Sequence, residues 1–192
     1  MQQPFKQFGE WLDVAKEHAA IKEPTAMTLA TATASGIPSA RIVLLKDFDE
    51  NGFVFYTNLE SRKSSEIIEN SNAALVFYWM PLTRQIRVEG ILEPVTDAEA
   101  DAYFATRARQ SQLGAWASKQ SRPLDSRTTL MAAVAALSVK YLGRDVPRPP
   151  HWSGWRLKPK RIEFWQEAEF RLHDREVFEL TADGWASGKL YP

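Results

Sequence analysis

The sequence contains no cysteine among its 192 residues. This absence excludes a disulfide framework, cysteine-ligated zinc and thiol catalysis. It also suits a reducing compartment, and we expect a cytoplasmic protein. A chain of this length buries roughly 70% of its unfolded surface on folding, so its core needs no covalent or metal staple.

The sequence has no excess charge of either sign, since 24 Lys and Arg residues balance 24 Asp and Glu residues. A general nucleic-acid binder normally carries a basic excess. The sequence also lacks an apolar run of the roughly 20 residues that cross a bilayer, and its N-terminus lacks the apolar core of a signal peptide. We therefore expect neither nucleic acid nor a membrane as partner.

Common catalytic signatures are missing as well: the dinucleotide fingerprint G-x-G-x-x-G, the P-loop and the nucleophile elbow G-x-S-x-G. The histidines at 18, 151 and 173 show no metal-ligand spacing, and we expect no metal. No nucleophile or fixed carboxylate pair stands out. Scattered basic and amide side chains remain, which suit a bound cofactor that supplies the chemistry.

The hydropathy pattern predicts a single domain over residues 1–192. Apolar positions recur every three to four residues within segment 1–22, which predicts an amphipathic helix docked on the body. Alternating segments predict five strands before residue 96, with a β-hairpin over 39–58. Helices follow near 96–107 and 128–142, and three β segments close the chain. This order indicates an α+β fold built on an antiparallel barrel or sheet.

The segment RLHDR places Arg171, His173 and Arg175 on one face if it forms a strand. One interpretation is a solvated face that is paired with nearby acids. The other is an anion-binding wall. Trp165 and Phe170 favour the wall, because aromatic surface beside arginine suits a flat ligand.

The residues Tyr103, Arg107 and Ser111 are spaced by four, so they stack on one face if the preceding helix continues. They would make a phosphate cradle, because the guanidinium fork matches phosphate oxygens. The alternative is a core tyrosine beside a surface arginine.

Ser61, Arg62 and Lys63 follow a strand and open a predicted helix, where backbone amides attract anions. Cations at that position are unfavourable unless an anion compensates them. Phosphate binding and a solvated first turn both remain open. Nearby, the segment RIVLLK (41–46) is apolar on both faces, which predicts a buried strand with a basic residue at each end.

The segment from Ile162 to Arg175, IEFWQEAEFRLHDR, resembles the signature of the pyridoxine/pyridoxamine 5′-phosphate oxidase family. The segments RIVLLK, FYTN, SRK, RQ, SQLGAWASKQS and VPRPPHWSGW follow the same order as in that family. The resemblance implies an FMN-binding split β-barrel and a homodimer with two flavin sites at the subunit interface.

The resemblance also assigns roles to residues. The cofactor contacts it implies are Arg41, Ile42, Val43, Leu44, Leu45, Lys46, Tyr56, Thr57, Arg62, Lys63, Gln85, Gln120, Ser121, Trp165 and Arg175. The substrate phosphate would meet Lys46, Tyr103, Arg107 and Ser111. Arg171 and His173 would contact the pyridine ring and act as the catalytic pair.

The implied reaction is oxidation of pyridoxamine or pyridoxine 5′-phosphate to pyridoxal 5′-phosphate, with dioxygen as acceptor and hydrogen peroxide as product. Two alternatives stay open. One is an FMN oxidase of the same fold that acts on another aromatic compound, such as a phenazine precursor. The other is a flavin-binding or B6-binding module without turnover.

Some positions depart from the family pattern. Only a few residues precede Phe5, where many members carry a segment that closes over the substrate. Ala108 and Gln110 replace a common Pro and Asp, and Lys189 replaces a common Arg. The last change keeps the charge but loses the guanidinium fork.

Overall fold

The computed structural model describes residues 2–192, and over this range the chain forms five α-helices and nine β-strands. In chain order they are α1 (Gln3–Glu17), β1 (Ala26–Ala32), β2 (Pro38–Leu44), β3 (Asp47–Asp49), β4 (Gly52–Asn58), α2 (Arg62–Glu69), β5 (Asn72–Trp79), β6 (Arg84–Pro94), α3 (Asp97–Thr106), α4 (Arg109–Ala117), α5 (Arg127–Lys140), β7 (Trp152–Gln166), β8 (Asp174–Thr181) and β9 (Gly184–Lys189). All strand pairs within this range are antiparallel. The sheet runs β2-β1-β5-β6-β7-β4-β3, and β8 and β9 continue from β7. The expected α+β class is confirmed.

Helix α1 packs its apolar stripe onto the core. Phe5, Phe8 and Leu12 follow the spacing read from the sequence and are at most 2% exposed. The ring of Phe8 meets the rings of Phe53 and Phe77 edge-on, at centroid distances of 4.9 and 5.1 Å. The residues at the helical spacing therefore form the apolar face that packs on the core.

The hairpin predicted over residues 39–58 is wrong in its pairing. Strand β2 pairs with β1, from Ala26 opposite Leu44 to Ala32 opposite Pro38, and the hairpin partner of β4 is the short strand β3. The extended strand is interrupted between β2 and β3, because Leu45 turns into the core, where it is 4% exposed. This inward turn interrupts the alternation that a continuous strand requires.

Strand β2 is also not buried, although its apolar sequence predicts burial. It lies at the edge of the sheet with β1 as its neighbour, and Ile42 is 64% exposed. An apolar edge strand leaves backbone groups and side chains that need a cover. Among the described residues, no helix is long and apolar enough to cross a bilayer.

Candidate functional site

A cleft of about 560 Å³ lies between β2, β4 and the start of α2. None of the lining residues that the structure describes is acidic. Most residues predicted to contact a cofactor line this cleft: Arg41, Ile42, Val43, Leu44, Lys46, Tyr56, Thr57, Arg62, Lys63, Gln120 and Ser121. Leu45 does not, because it packs in the core.

Lys63 is held in the cleft by three hydrogen bonds. Its Nζ donates to Thr57 Oγ1 and Ser61 Oγ, both at 3.0 Å, and to Gln120 Oε1 at 2.9 Å. All three acceptors are neutral. Burial, reinforced by the charge of Arg41, lowers the pKa of Lys63 to about 8. An ammonium with neutral acceptors suits an incoming phosphate, which supplies the missing negative charge.

Glu66 holds two other cations at the cleft wall. Its carboxylate is 4% exposed and accepts from Arg41 Nη2 at 3.0 Å and from Arg62 Nε at 2.8 Å. Burial would raise its pKa, but hydrogen bonds from Ser39, Thr31 and both arginines lower the pKa of Glu66 to about 2. The sequence analysis missed Glu66. Its spacing of four residues from Arg62 on a predicted helix is the signal that could have identified it.

The first turn of α2 faces the cleft through Arg62 and Lys63. Ser61 occupies the N-cap position, but its side chain makes no capping bond to the helix. Its Oγ instead donates to the carbonyl of Asn58 at 2.7 Å. The first-turn amides are therefore not capped by a side chain, and such amides favour an anion.

A second cavity of about 380 Å³ adjoins the cleft. The two share Tyr56, Thr57 and Gln120 as common walls. Arg107 and Ser111 line the second cavity. Two ligands bound side by side would therefore be in contact.

The single helix predicted to carry Tyr103, Arg107 and Ser111 is wrong. Helix α3 ends at Thr106, and Arg107 adopts an extended backbone with ψ of 145° before α4 begins. Arg107 and Ser111 still line one cavity, and the ring of Tyr103 stacks at 4.1 Å on Tyr56, which lines the same cavity. The break between α3 and α4 therefore still leaves these residues around one cavity, which is the arrangement that a single helix was expected to give.

A separate cluster forms near the first residues of β6 and of β8. Gln85 lies opposite Trp165, and Trp165 lies opposite Arg175. The rings of Trp165 and His173 are 4.7 Å apart. The sheet register therefore gathers the remaining predicted cofactor residues.

This cluster lies far from the cleft along β7. Tyr56 in the cleft is opposite Gly154, whereas Trp165 is eleven residues further along the strand. At the rise of a β-strand this is a path of about 35 Å. Gln85, Trp165 and Arg175 are not among the residues that line the cleft.

The strand predicted through Arg171 and His173 is wrong. Strand β8 begins only at residue 174, and Phe170 and Arg171 have φ of 56° and 62°. Two successive left-handed residues form a turn, so side chains do not alternate there. The amide of Ala168 donates to His173 Nδ1 at 3.2 Å, which leaves the Nε2–H of the neutral ring as a donor.

Two family models match this chain. The family model described as pyridoxamine 5′-phosphate oxidase matches residues 14–141. The model described as the pyridoxine 5′-phosphate oxidase C-terminal dimerisation region matches residues 152–192. The second match supports a homodimer.

Similar proteins cover nearly the whole chain. The pyridoxine/pyridoxamine 5′-phosphate oxidases of Myxococcus xanthus and Sphingopyxis alaskensis are 58% and 56% identical to it, over 98% of this chain and 91% and 87% of theirs. The crystal structure of PhzG from Burkholderia lata 383, in complex with tetrahydrophenazine-1-carboxylic acid, has a TM-score of 0.93 at 34% identity, over 100% of this chain and 94% of that chain. The split-barrel fold is confirmed. The chain belongs to the pyridoxine/pyridoxamine 5′-phosphate oxidase family.

Proposed function

We propose that this protein is an FMN-dependent oxidase that forms pyridoxal 5′-phosphate from pyridoxamine or pyridoxine 5′-phosphate. Dioxygen is the acceptor and hydrogen peroxide the product. One observation carries the proposal: two adjoining cavities each hold a cation that has no ion pair within residues 2–192, Lys63 in the cleft and Arg107 beside it. FMN and the substrate each bring one phosphate.

The cleft fits FMN by the chemistry of its donors. Arg41, Arg62, Lys63 and the uncapped first turn of α2 form a cationic end for the phosphate. Strand β2 and the side chain of Lys46 would lie along the rest of the cofactor. Bound FMN supplies hydride acceptance from the substrate and electron transfer to dioxygen.

The second cavity fits the substrate phosphate. Arg107 offers a guanidinium, Ser111 a hydroxyl and Tyr103 a supporting ring, while Lys46, which lines the adjoining cleft, would contribute its ammonium from that side. Arg171 and His173 would hold the pyridine ring. Because Nδ1 of His173 is occupied, its Nε2–H is the atom available to the substrate.

A complete site requires two chains. Arg171, His173 and Arg175 do not line the cleft of their own chain, and Arg175 pairs near the opposite end of β7. We infer that each site combines the cleft of one subunit with the Trp165 cluster of its partner. The exposed edge strand β2, with Ile42 uncovered, suits such an interface.

The identity to the B6 phosphate oxidases is higher than the identity to PhzG, and this favours a phosphorylated vitamer over a phenazine precursor as substrate. The cytoplasmic location stays a prediction that rests on the absence of cysteine.

The direct test is anaerobic reduction of the FMN-loaded protein. Addition of pyridoxamine 5′-phosphate should bleach the oxidised-flavin absorbance, and readmitted air should restore it with formation of peroxide. Pyridoxamine without phosphate should bleach it far more slowly. A loaded protein that stays yellow with both phosphorylated vitamers would reject the proposed function.

A further inference from the structure

Arg107 is a cation without a counter-ion in the described chain. Its side chain makes no ion pair with any acid of residues 2–192, and its Nη1 is buried without a hydrogen-bond partner. A buried guanidinium donor without a partner is costly unless a ligand satisfies it. Contacts other than hydrogen bonds and ion pairs must therefore hold the Arg107 side chain in place.

Aromatic faces hold it. The Cζ of Arg107 lies 4.7 Å from the ring centroid of Trp152 and 5.6 Å from that of Phe104. Because the side chain has no hydrogen bond among the described residues, these cation–π contacts are what orient the guanidinium. Trp152 is the nearer ring, and indole is the strongest partner for such a contact.

Trp152 is itself fixed. It is 6% exposed, and its ring lies within 5° of parallel to Tyr56 at a centroid distance of 5.4 Å. Tyr103 is nearly parallel to both rings. A ring held in such a stack offers Arg107 one defined face.

We propose that Trp152 is the positioning residue that directs Arg107 at the phosphate of the substrate. It acts through Arg107 and not on the reacting carbon. The inference deepens the proposed function and rests on it, because it requires a substrate that bears a phosphate.

The test is a double-mutant cycle in the FMN-loaded enzyme. The variants are Trp152→Leu, Trp152→Phe, Arg107→Ala and the Leu/Ala pair. We expect Trp152→Leu to raise KM for pyridoxamine 5′-phosphate about tenfold to thirtyfold, with a much smaller change in kcat. In the Arg107→Ala background the same change should cost less than about twofold, because the pair acts as one unit. Trp152→Phe, which keeps an aromatic face, should fall between wild type and Trp152→Leu.

The readout that separates positioning from packing is the ratio of kcat/KM for pyridoxamine 5′-phosphate to that for pyridoxamine. Trp116→Leu is the matched control, since Trp116 belongs to the same apolar cluster and its cation–π contact is with Lys140. We expect the ratio to fall in Trp152→Leu and to hold in Trp116→Leu. If Trp152→Leu does not fold, the same comparison is read from Trp152→Phe.

An equal loss for both substrates, or additive losses in the cycle, would overturn the inference. A wild-type enzyme that oxidises neither vitamer would instead reject the proposed function. In that case the cycle is read from calorimetric binding of pyridoxal 5′-phosphate against pyridoxal. Coupling that is confined to the phosphorylated ligand supports the role of Trp152, and its absence overturns it.

Discussion

Arg175 donates from Nε to one oxygen of Glu163 at 2.9 Å, and its Nη2 forms an ion pair with the same oxygen at 2.7 Å. The Glu163 side chain is 2% exposed, and its other oxygen meets Arg161 and Arg87 at 3.3 and 3.5 Å. The Nη1 of Arg175 donates to the carbonyl of Tyr191. A guanidinium has five N–H groups, so these contacts fix the plane of Arg175 and leave further N–H groups for a ligand.

We expect Glu163→Ala to destabilise the fold and weaken FMN binding. Removing a buried carboxylate leaves three guanidinium groups without their shared partner, which costs about 3–5 kcal/mol. Urea denaturation and a flavin titration measure the two effects. Glu179→Ala is the control, because Glu179 pairs with Arg161 at 3.5 Å but is 65% exposed, and its loss should cost less than about 1 kcal/mol. Equal stability of the two variants would contradict the assigned role of Glu163.

FMN affinity should fall in alkali because of Lys63. Its pKa is lowered to about 8 in the unliganded protein, whereas a bound phosphate favours the charged form. Above pH 8 binding must restore the lost proton, so Kd should rise by up to about tenfold per pH unit. Flavin fluorescence titrations from pH 7 to pH 10 measure it. Lys63→Met should bind more weakly at pH 7 and lose this dependence; a variant that keeps the wild-type profile would assign the titration to another group.

Acid should destabilise the protein through Glu66. The carboxylate has a folded pKa of about 2, below its ordinary value of 4.5. Its contribution is therefore present above pH 4.5 and lost as the pH falls towards 2. Between pH 5 and pH 3 the loss should be about 2 kcal/mol. The stability difference between wild type and Glu66→Gln should shrink by this amount in denaturant titrations, and a constant difference would show that Glu66 does not carry it.

Two inactive variants should complement each other if the site spans two chains. Arg107→Ala damages the cavity side, and Arg171→Ala damages the side that we assign to the partner. Mixed by unfolding and refolding together, they should recover about one quarter of wild-type activity, because a heterodimer of a two-fold symmetric protein holds one intact site. Each variant refolded alone is the control. A mixture no more active than its parts would place both residues in one chain's site.

Arg171→Ala alone should lose far more turnover than FMN affinity.

Short-range patterns in the sequence predicted local structure well. The helix predicted near 96–107 is α3, which begins with a capping box of Thr96 and Glu99, and the predicted apolar stripe of Phe5 and Phe8 docks α1. The predictions from these patterns failed at residues where the backbone turns or a helix ends. Phe170 and Arg171 leave the extended region, and α3 stops before Arg107. Periodicity assumes a regular backbone, so it does not report such breaks.

The sequence by itself determined the fold class and the family, and it predicted the residue types of two phosphate-binding centres, because these depend on patterns within a few residues of each other. The tertiary structure alone decided which charges meet. Glu66 of α2 reaches Arg41 of β2, and Glu163 of β7 reaches Arg175 of β8. Helix packing and strand register make these contacts, and residue spacing does not encode either. The tertiary structure also set the cleft and the Trp165 cluster at opposite ends of β7, since a strand fixes distance along its length.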